Sequence, residues 1–489
     1  MFYGGRTEVF SPYCQANDKE KLEYHHVCSL YTTECSHDTL PIKFPVRYFG
    51  SLAQAQVERI NPSHPDPIFG YIRCRIQPNP NDCLGLLPSR VDGKLVFDLN
   101  EKVGTWFSEE IYLAMSQGYV MLNVYEILHW TAEARGNNYM KGYMSYFLRM
   151  KQESEGWKKA GASSETPSDD IKQEKIQELF ELNGNMARMR PDFVEKNDVR
   201  RGTSKIYLNC LWGKLAQSSD QETMKVIYGL HQLHKIHYDP EVNPQSIRYR
   251  HIKGEAYEAI YKSKKPFYKR NPRYNIWIAA AVTAHARCRL HRQMIRIGPE
   301  RILYCDTDSI VFIYPRDLPS LSSRGLGNWV DETKDMGSSI SIFCGFAPKT
   351  YLLVLANNTY NIKAKGCRMT IPNKAKCTPD TLIRILQNKC IETAEGYEQP
   401  EPLLLDHFSI FTNSLNTSFS YATVFSRYTT KKIRVVLSKR VLVPLLDYSA
   451  FLDDLSQAEF LLTHPLSLYG RIHTVPFGDD FNLGDYYNI

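Results

Sequence analysis

The tightest constraint on this chain is the stretch Arg301 to Tyr314, RILYCDTDSIVFIY. Two runs of β-branched and aromatic residues, Ile302 to Cys305 and Ile310 to Tyr314, flank Asp306-Thr307-Asp308-Ser309. The spacing predicts a β-hairpin with both carboxylates at its turn. Carboxylates two residues apart repel each other, so a chain that keeps them together commonly has a cation to share between them. Hard oxygen donors without a His or Cys cluster nearby point to magnesium or manganese rather than zinc. The same tetrapeptide also suits a plain solvated turn, where Asp is at home.

A chain of 489 residues is long enough for about three domains, or for one large enzyme with subdomains. Its 43% hydrophobic and 23% charged residues are those of a globular protein, which argues against wholesale disorder. The apolar run Ile276 to Val282 is too short to span a bilayer, and Met1 leads into Phe-Tyr-Gly-Gly-Arg rather than a secretory signal. An intracellular protein with no membrane partner is expected, in a nucleus or viral replication site if eukaryotic and otherwise in cytoplasm. The twelve cysteines include no Cys-x-x-Cys pair, so free thiols are expected rather than a zinc ribbon or disulfides. A net charge of +7 permits a polyanionic partner without demanding one.

Along the chain, Glu23 to Tyr31 reads as a strand running into a turn, and Pro41 to Leu99, rich in proline and glycine, as loops and short strands. Ser108 reads as the N-cap of a helix that Gly118 ends, with the strand Val120 to Trp130 after it. Tyr139 to Lys151 is helical with a basic polar face, Gly161 to Asp170 a polar tip, and Asn197 to Gln217 a further helix. Glu255 to Tyr274 interleaves basic and aromatic residues, which suits phosphate contact beside stacking as well as it suits a solvated strand face. Asn275 caps a long helix, Ile276 to Ile297, ended by Gly298.

In Arg201 to Lys214, RGTSKIYLNCLWGK, the residues Arg201, Lys205, Asn209 and Trp212 or Gly213 recur every three or four positions and share one helical face. Arg and Lys neutralise phosphate oxygens, and a flat aromatic beside a glycine can pack on a sugar or base that needs close backbone approach. Such a face suits a triphosphate; a solvated basic face is the plainer alternative.

Lys205-x-x-x-Asn209-Cys210-Leu211-Trp212-Gly213-Lys214 resembles motif B of family B DNA polymerases, and Tyr304-Cys305-Asp306-Thr307-Asp308-Ser309 resembles their motif C. Val27 to Tyr31 resembles motif A, Pro348-Lys349-Thr350-Tyr351 the Lys-x-Tyr motif, and Phe2-x-Gly4-Gly5 the Tyr-x-Gly-Gly signature, with Phe2 in place of Tyr. Gly104-Thr105-Trp106, Lys151-Gln152-Glu153, Val282 to Arg287 and Lys365-Gly366 extend the resemblance, which runs from about Phe2 to Met369 in the family's order. The chain looks most like the protein-primed branch found in adenoviruses, linear plasmids and Maverick (Polinton) transposons, the last above all.

The resemblance implies an α+β right-hand polymerase fold, with a ferredoxin-like antiparallel palm, helical fingers and a small thumb. Residues 1–43 would open the palm, 44–129 and 218–274 would be insertions tied to priming, 130–217 the fingers, 275–371 the rest of the palm and 372–489 the thumb and tail. It implies that Asp308, with Asp306 beside it, binds two Mg2+ or Mn2+ ions, and that Lys205 binds the incoming dNTP. Arg201, Asn209, Trp212 and Gly213 would shape the nucleotide pocket, and Ser29, Leu30 and Tyr31 would line the sugar, with Tyr31 excluding a 2′-hydroxyl. Gly4, Gly5, Tyr304, Lys349, Tyr351 and Lys365 would hold primer-template DNA, and a terminal protein would serve as primer.

The sequence departs from that pattern in two places. The aspartate that opens motif A is replaced by His26, and Thr32 stands where the pattern has proline. A neutral imidazole is a poor magnesium ligand. Both exchanges are one base apart in codon terms, as in a decaying copy. A proofreading exonuclease would precede Phe2, so none is expected from this polypeptide. Two other readings compete with a polymerase core: a degenerate copy that grips primer-template DNA without extending it, and a nucleotide-sugar transferase, which also uses Asp-x-Asp but leaves motif B without a role.

Overall fold

The computed structural model describes residues 2–159, 161–162, 166–217, 222–264, 274–367, 369–392, 403–412, 424–433, 435–436, 439–442, 471–472 and 474–476. Its centre is an antiparallel sheet whose strands run Thr7–Val9, Ile302–Asp306, Ser309–Pro315, Glu20–Val27, Ile340–Ala347, Thr350–Leu355 and Tyr360–Lys363 in spatial order. The hairpin expected from Arg301 to Tyr314 is therefore the heart of the sheet. Its strands pair Tyr304 with Val311 and Asp306 with Ser309, and every residue from Ile302 to Cys305 and Ile310 to Phe312 is fully buried. A strand covered on both faces reads as a continuous apolar run, which is why this stretch was so legible.

One face of the sheet is covered by the helix Ile276–Ile297, capped by the Asn275 side chain on the Ile278 N–H and ended by Gly298 at φ 107°. Its Ala279, Ala280, Ala281, Ala284 and Ala286 are all buried. Small side chains let neighbouring backbones approach, and three helices pack on it: Leu30–His37, Ser108–Ser116 and Asp198–Leu215. The first of these replaces the plain turn expected after Val27. Thr32, Thr33, Cys35 and Ser36 are weak helix formers, but all are buried there, so packing overrides propensity. Phe107 rather than Ser108 occupies the N-cap position of the second helix, and the Ser108 hydroxyl instead accepts the Gly70 N–H.

The Pro41 to Leu99 region holds more order than its prolines suggested. Gly70–Gln77 is an eight-residue strand with Ile72, Cys74 and Ile76 buried and Arg73 and Arg75 exposed. It lies in a four-stranded sheet in the order Val46–Phe49, Val120–His129, Gly70–Gln77, Lys102–Phe107, whose core includes Trp106, Val124 and Ile127. The helices Lys141–Glu153 and Asp198–Leu215 pack together, with Phe147 stacked on Tyr207 and Glu153 held by Arg190 and Arg200. Of the basic, aromatic stretch 255–274, residues 265–273 lie outside the described residues, as do 163–165 of the expected polar tip and most of the expected thumb. The cysteines among the described residues are free thiols. No helix among the described residues is long and apolar enough to cross a membrane.

A buried charge cluster ties these helices together. His285 contacts Glu109 and faces Asp38, Glu109 also binds Arg292, and Glu34 binds Arg289. Burial alone would push the His285 imidazole down, but Glu109 outweighs it and raises the group to about 9. Burial and the neighbouring Asp38 likewise push Glu34 up to about 8. Both groups hold protons more tightly in the folded chain than the ordinary values of 6.5 and 4.5. The His285 contribution is thus complete below pH 6.5 and is lost as pH rises through about 9. Thermal melts should show stability falling over that window by roughly 3 kcal/mol, and His285→Gln should flatten the fall. An unchanged slope in the variant would mean that His285 is not what titrates.

Candidate active site

The chain brings Asp306 and Asp308 to the end of two inner strands of the sheet by turning at Thr307, whose φ of 60° is left-handed. Two further non-glycine residues of that conformation, Ser29 (φ 54°) and Lys349 (φ 64°), line the two cavities that Asp308 borders, one in each. Each costs on the order of 1–3 kcal/mol and persists only where its surroundings fix it, which is common at functional sites.

What fixes Thr307 is the first segment of the chain. Its N–H donates to the Arg6 carbonyl at 2.6 Å, and Thr7 pairs with Asp306 in register while its hydroxyl donates to Asp306 Oδ1 at 2.8 Å. A Cβ added at Gly5 would lie 2.6 Å from Thr307 Oγ1, so only glycine fits beneath the turn. The segment is pinned in turn by Arg287, which donates to the carbonyls of Tyr3 and Gly4 at 2.7 and 2.9 Å and to Glu110 at 2.9 Å. Gly5 thus shapes the carboxylate turn from behind. Nothing lies within 4 Å of a Cβ built at Gly4 or Gly213, so packing among the described residues asks for glycine at neither.

Asp308 borders two cavities. One, of about 420 Å³, is lined by His26, Ser29, Leu30, Tyr31, Lys151, Arg201, Lys205 and Asn209 among others. The helical face expected from spacing therefore does converge on the carboxylate turn and on the Ser29–Tyr31 segment. Lys205 and Asn209 are exposed there, and Arg201 is ion-paired to Glu155 at 2.9 Å. Trp212 stacks on Tyr31, with ring centroids 4.4 Å apart. Burial, with Asp308 nearby, pushes the Tyr31 phenol up, so it stays a neutral hydrogen-bonding group. The other cavity, of about 680 Å³, is lined by Tyr24, Asp306, Thr307, Lys349 and Tyr351, with Ile362 to Ala364 at its far side.

Burial and the adjacent Asp306 charge raise the Asp308 carboxyl above its usual range, a group that gains from a nearby cation. Asp306 already has one: Lys349 Nζ lies 2.6 and 2.8 Å from its two oxygens. Tyr304, expected beside a primer end, is fully buried, and only its hydroxyl reaches the region, accepting the Lys349 N–H at 3.0 Å. Lys365 is exposed and touches the site only through its backbone N–H on Thr350. His26 turns toward Glu332, its Nδ1 2.8 Å from Glu332 Oε1. Glu23 is buried between Lys21 and His25 in mid-strand and is no substitute carboxylate for the site. Among the described residues no three His, Cys, Asp or Glu side chains converge as a metal cage. A pair of magnesium ions on three carboxylates does not fit these residues, since Lys349 occupies both oxygens of Asp306 and His26 stands at the third position.

Sequence reading missed Thr7, Tyr24 and Glu332 at this site. Thr7 follows directly on Gly4-Gly5-Arg6, and that adjacency was the available signal; Glu332 carried none.

Residues 1–162 match the family model described as DNA polymerase type B, organellar and viral. That match includes Gly4, Gly5 and His26 to Tyr31 and ends before Lys205 and Asp308. The DNA-directed DNA polymerase of Enterobacteria phage PRD1 is 34% identical over 96 residues, which are 20% of this chain and 16% of that protein. Phi29 DNA polymerase complexed with primer-template DNA and incoming nucleotides aligns over 88% of this chain and 61% of that one, at 15% identity and a TM-score of 0.49. The post-translocation binary complex of the same polymerase aligns over 78% and 55%, at 16% identity and a TM-score of 0.47. This chain thus spans under two thirds of each of these proteins, and in its first 162 residues it is similar to type B DNA polymerases of organelles and viruses.

Proposed function

We propose that this chain is the core of a DNA-directed DNA polymerase of the protein-primed type, with the central sheet as palm, the helix pair Lys141–Glu153 and Asp198–Leu215 as fingers, and the residues after 371 as thumb. It adds dNTPs to a primer on a DNA template, within a replication system of a mobile element or virus-like genome that uses a terminal protein. The observation that carries this reading is that Asp308 borders two cavities at once. One offers Lys205, Arg201, Lys151 and Asn209 to an anionic, hydrogen-bonding ligand, and the other offers Lys349 and Tyr351 to a strand end.

In this reading Lys205 takes up charge on the triphosphate, and the Tyr31–Trp212 stack packs on the sugar and limits its 2′ side. Lys349 holds the primer end close to Asp308. Asp308 is the carboxylate that would hold a divalent cation, and such an ion would supply positive charge against the reacting phosphates.

A second reading, a copy that grips primer-template DNA without extending it, draws on His26 at the motif A position and on the pairing of Asp306 with Lys349. Primer extension with labelled dNTPs, run with Mg2+ and with Mn2+ alongside a DNA-binding measurement, separates the two. Binding without incorporation under either metal selects the second. In the active case Lys205→Ala should raise the KM for dNTP and lower kcat, together costing on the order of 10²-fold in kcat/KM. Weakened duplex binding with unchanged nucleotide kinetics would put this helix face on DNA instead.

A further inference from the structure

Thr7–Val9 is the terminal strand of the central sheet, and the carbonyls along the outer edge of such a strand need partners from elsewhere. A segment from far along the chain supplies them. Lys439 Nζ donates to the Thr7 carbonyl at 3.0 Å, and the Thr474 N–H and hydroxyl donate to the Phe10 carbonyl at 2.9 and 2.6 Å. Arg440–Leu442 pairs with Thr474–Pro476, and Arg471–Ile472 pairs with Tyr13–Gln15, so these pieces form one clasp on residues 7–15.

Arg440 anchors the clasp. It is buried, donates to Thr474 Oγ1 at 2.9 Å and to the Cys83 carbonyl at 2.7 Å, and lies 4.6 Å over the Phe10 ring. It also faces, at 3.9 Å, the buried Glu8 carboxylate that Arg6 holds at 2.7 Å. Two contacts lead from here to the carboxylate turn. Thr7, whose carbonyl Lys439 holds, donates its hydroxyl to Asp306 at 2.8 Å, and Arg6 accepts the Thr307 N–H on its carbonyl at 2.6 Å. Neither Lys439 nor Arg440 lines the two cavities that Asp308 borders, so both act on that site from behind.

We propose that Lys439 is a positioning residue for the Asp306-Thr307-Asp308 turn, with Arg440 and Thr474 as its anchor. The clasp fixes Thr7–Val9, and through the Thr7 hydroxyl and the Arg6 carbonyl it fixes where the two carboxylates stand. On this view residues 439–442 and 471–476 serve the palm, although they lie in the stretch assigned to the thumb. The inference rests on the polymerase reading for what the turn does, but not for whether the clasp holds it.

Hydrogen exchange on the full chain, without DNA or dNTP, tests the clasp apart from catalysis. Arg440 is buried and its loss would leave Glu8 and several carbonyls short of partners, so the half-buried Lys439 is the residue to change. Lys439→Met should speed exchange about tenfold or more in peptides covering 7–9 and 302–309, and leave the strand Gly70–Gln77 as protected as before. Lys439→Arg should restore the protection. In primer extension Lys439→Met should lower kcat about tenfold with the KM for dNTP within about twofold, as misplaced reacting groups would. Thr7→Val should lower kcat similarly, and adding Lys439→Met to it should cost little more, because both act through one residue. Unchanged exchange at the turn, faster exchange throughout the chain, a rise in KM alone, or additive losses in the double variant would each overturn the proposal. Local opening in a chain that does not extend primers even unmutated would leave the clasp standing and reject the polymerase reading.

Discussion

Asp308→Asn should abolish templated nucleotide addition, by on the order of 10³-fold or more, while primer-template affinity stays within a few fold. The asymmetry follows from position. Asp308 borders both cavities, so in the proposed function its charge would act where the two substrates meet, whereas Lys349, Tyr351 and the helix cations that would grip them are left intact. Burial and Asp306 already hold this carboxyl above its usual range, so the neutral amide costs little folding energy and a stable variant is expected. Steady-state extension and DNA-binding titrations on the same preparation check it. A variant that extends primers at near-normal rate would move the chemistry elsewhere.

Gly5→Ala should be almost as damaging, although Gly5 touches no substrate. Its new Cβ would meet Thr307 Oγ1 at 2.6 Å and Cγ2 at 2.7 Å, with the Thr307 Cβ itself at 3.0 Å, so rotating the side chain does not relieve the contact. The turn must shift, carrying Asp306 and Asp308 with it. A displacement near 1 Å at reacting groups costs about 10²-fold, so kcat should fall by that order with little change in melting temperature. Thr307→Gly supplies the rescue, for it removes the obstructing branch and suits the left-handed backbone at φ 60°. The double variant recovering most of the lost rate would establish steric transmission. A rescue that fails would mean Gly5 acts directly on a ligand.

How much of this could be read beforehand depends on how local the signal was. The carboxylate hairpin and the Asn275-capped helix announced themselves because each is specified by neighbours in sequence. The face Arg201, Lys205, Asn209 was legible from helical spacing, but its convergence with Ser29 to Tyr31 and Asp308 was suggested only by family likeness, since the three segments are far apart in the chain. Gly70–Gln77 was hidden by surrounding prolines even though its alternation of Ile72, Arg73, Cys74, Arg75 and Ile76 is a plain strand signature. Leu30–His37 was illegible in principle, being a weak helical sequence stabilised by what it packs against. Glu332 and Lys349 acquire their partners through strand register and a left-handed turn, which no local pattern encodes.

The strand Thr7–Val9 has a mechanical consequence. It lies antiparallel to Ile302–Asp306, so its leading residue, Thr7, sits against the very end that bears the carboxylate. Tension applied through the first residues would load the Thr7–Asp306 contact before any other in that pair, and Arg287, anchoring Tyr3 and Gly4, is the brake that stands before it. A purification handle, surface tether or fused domain joined at this end is therefore coupled to the chemistry by a lever only a few residues long.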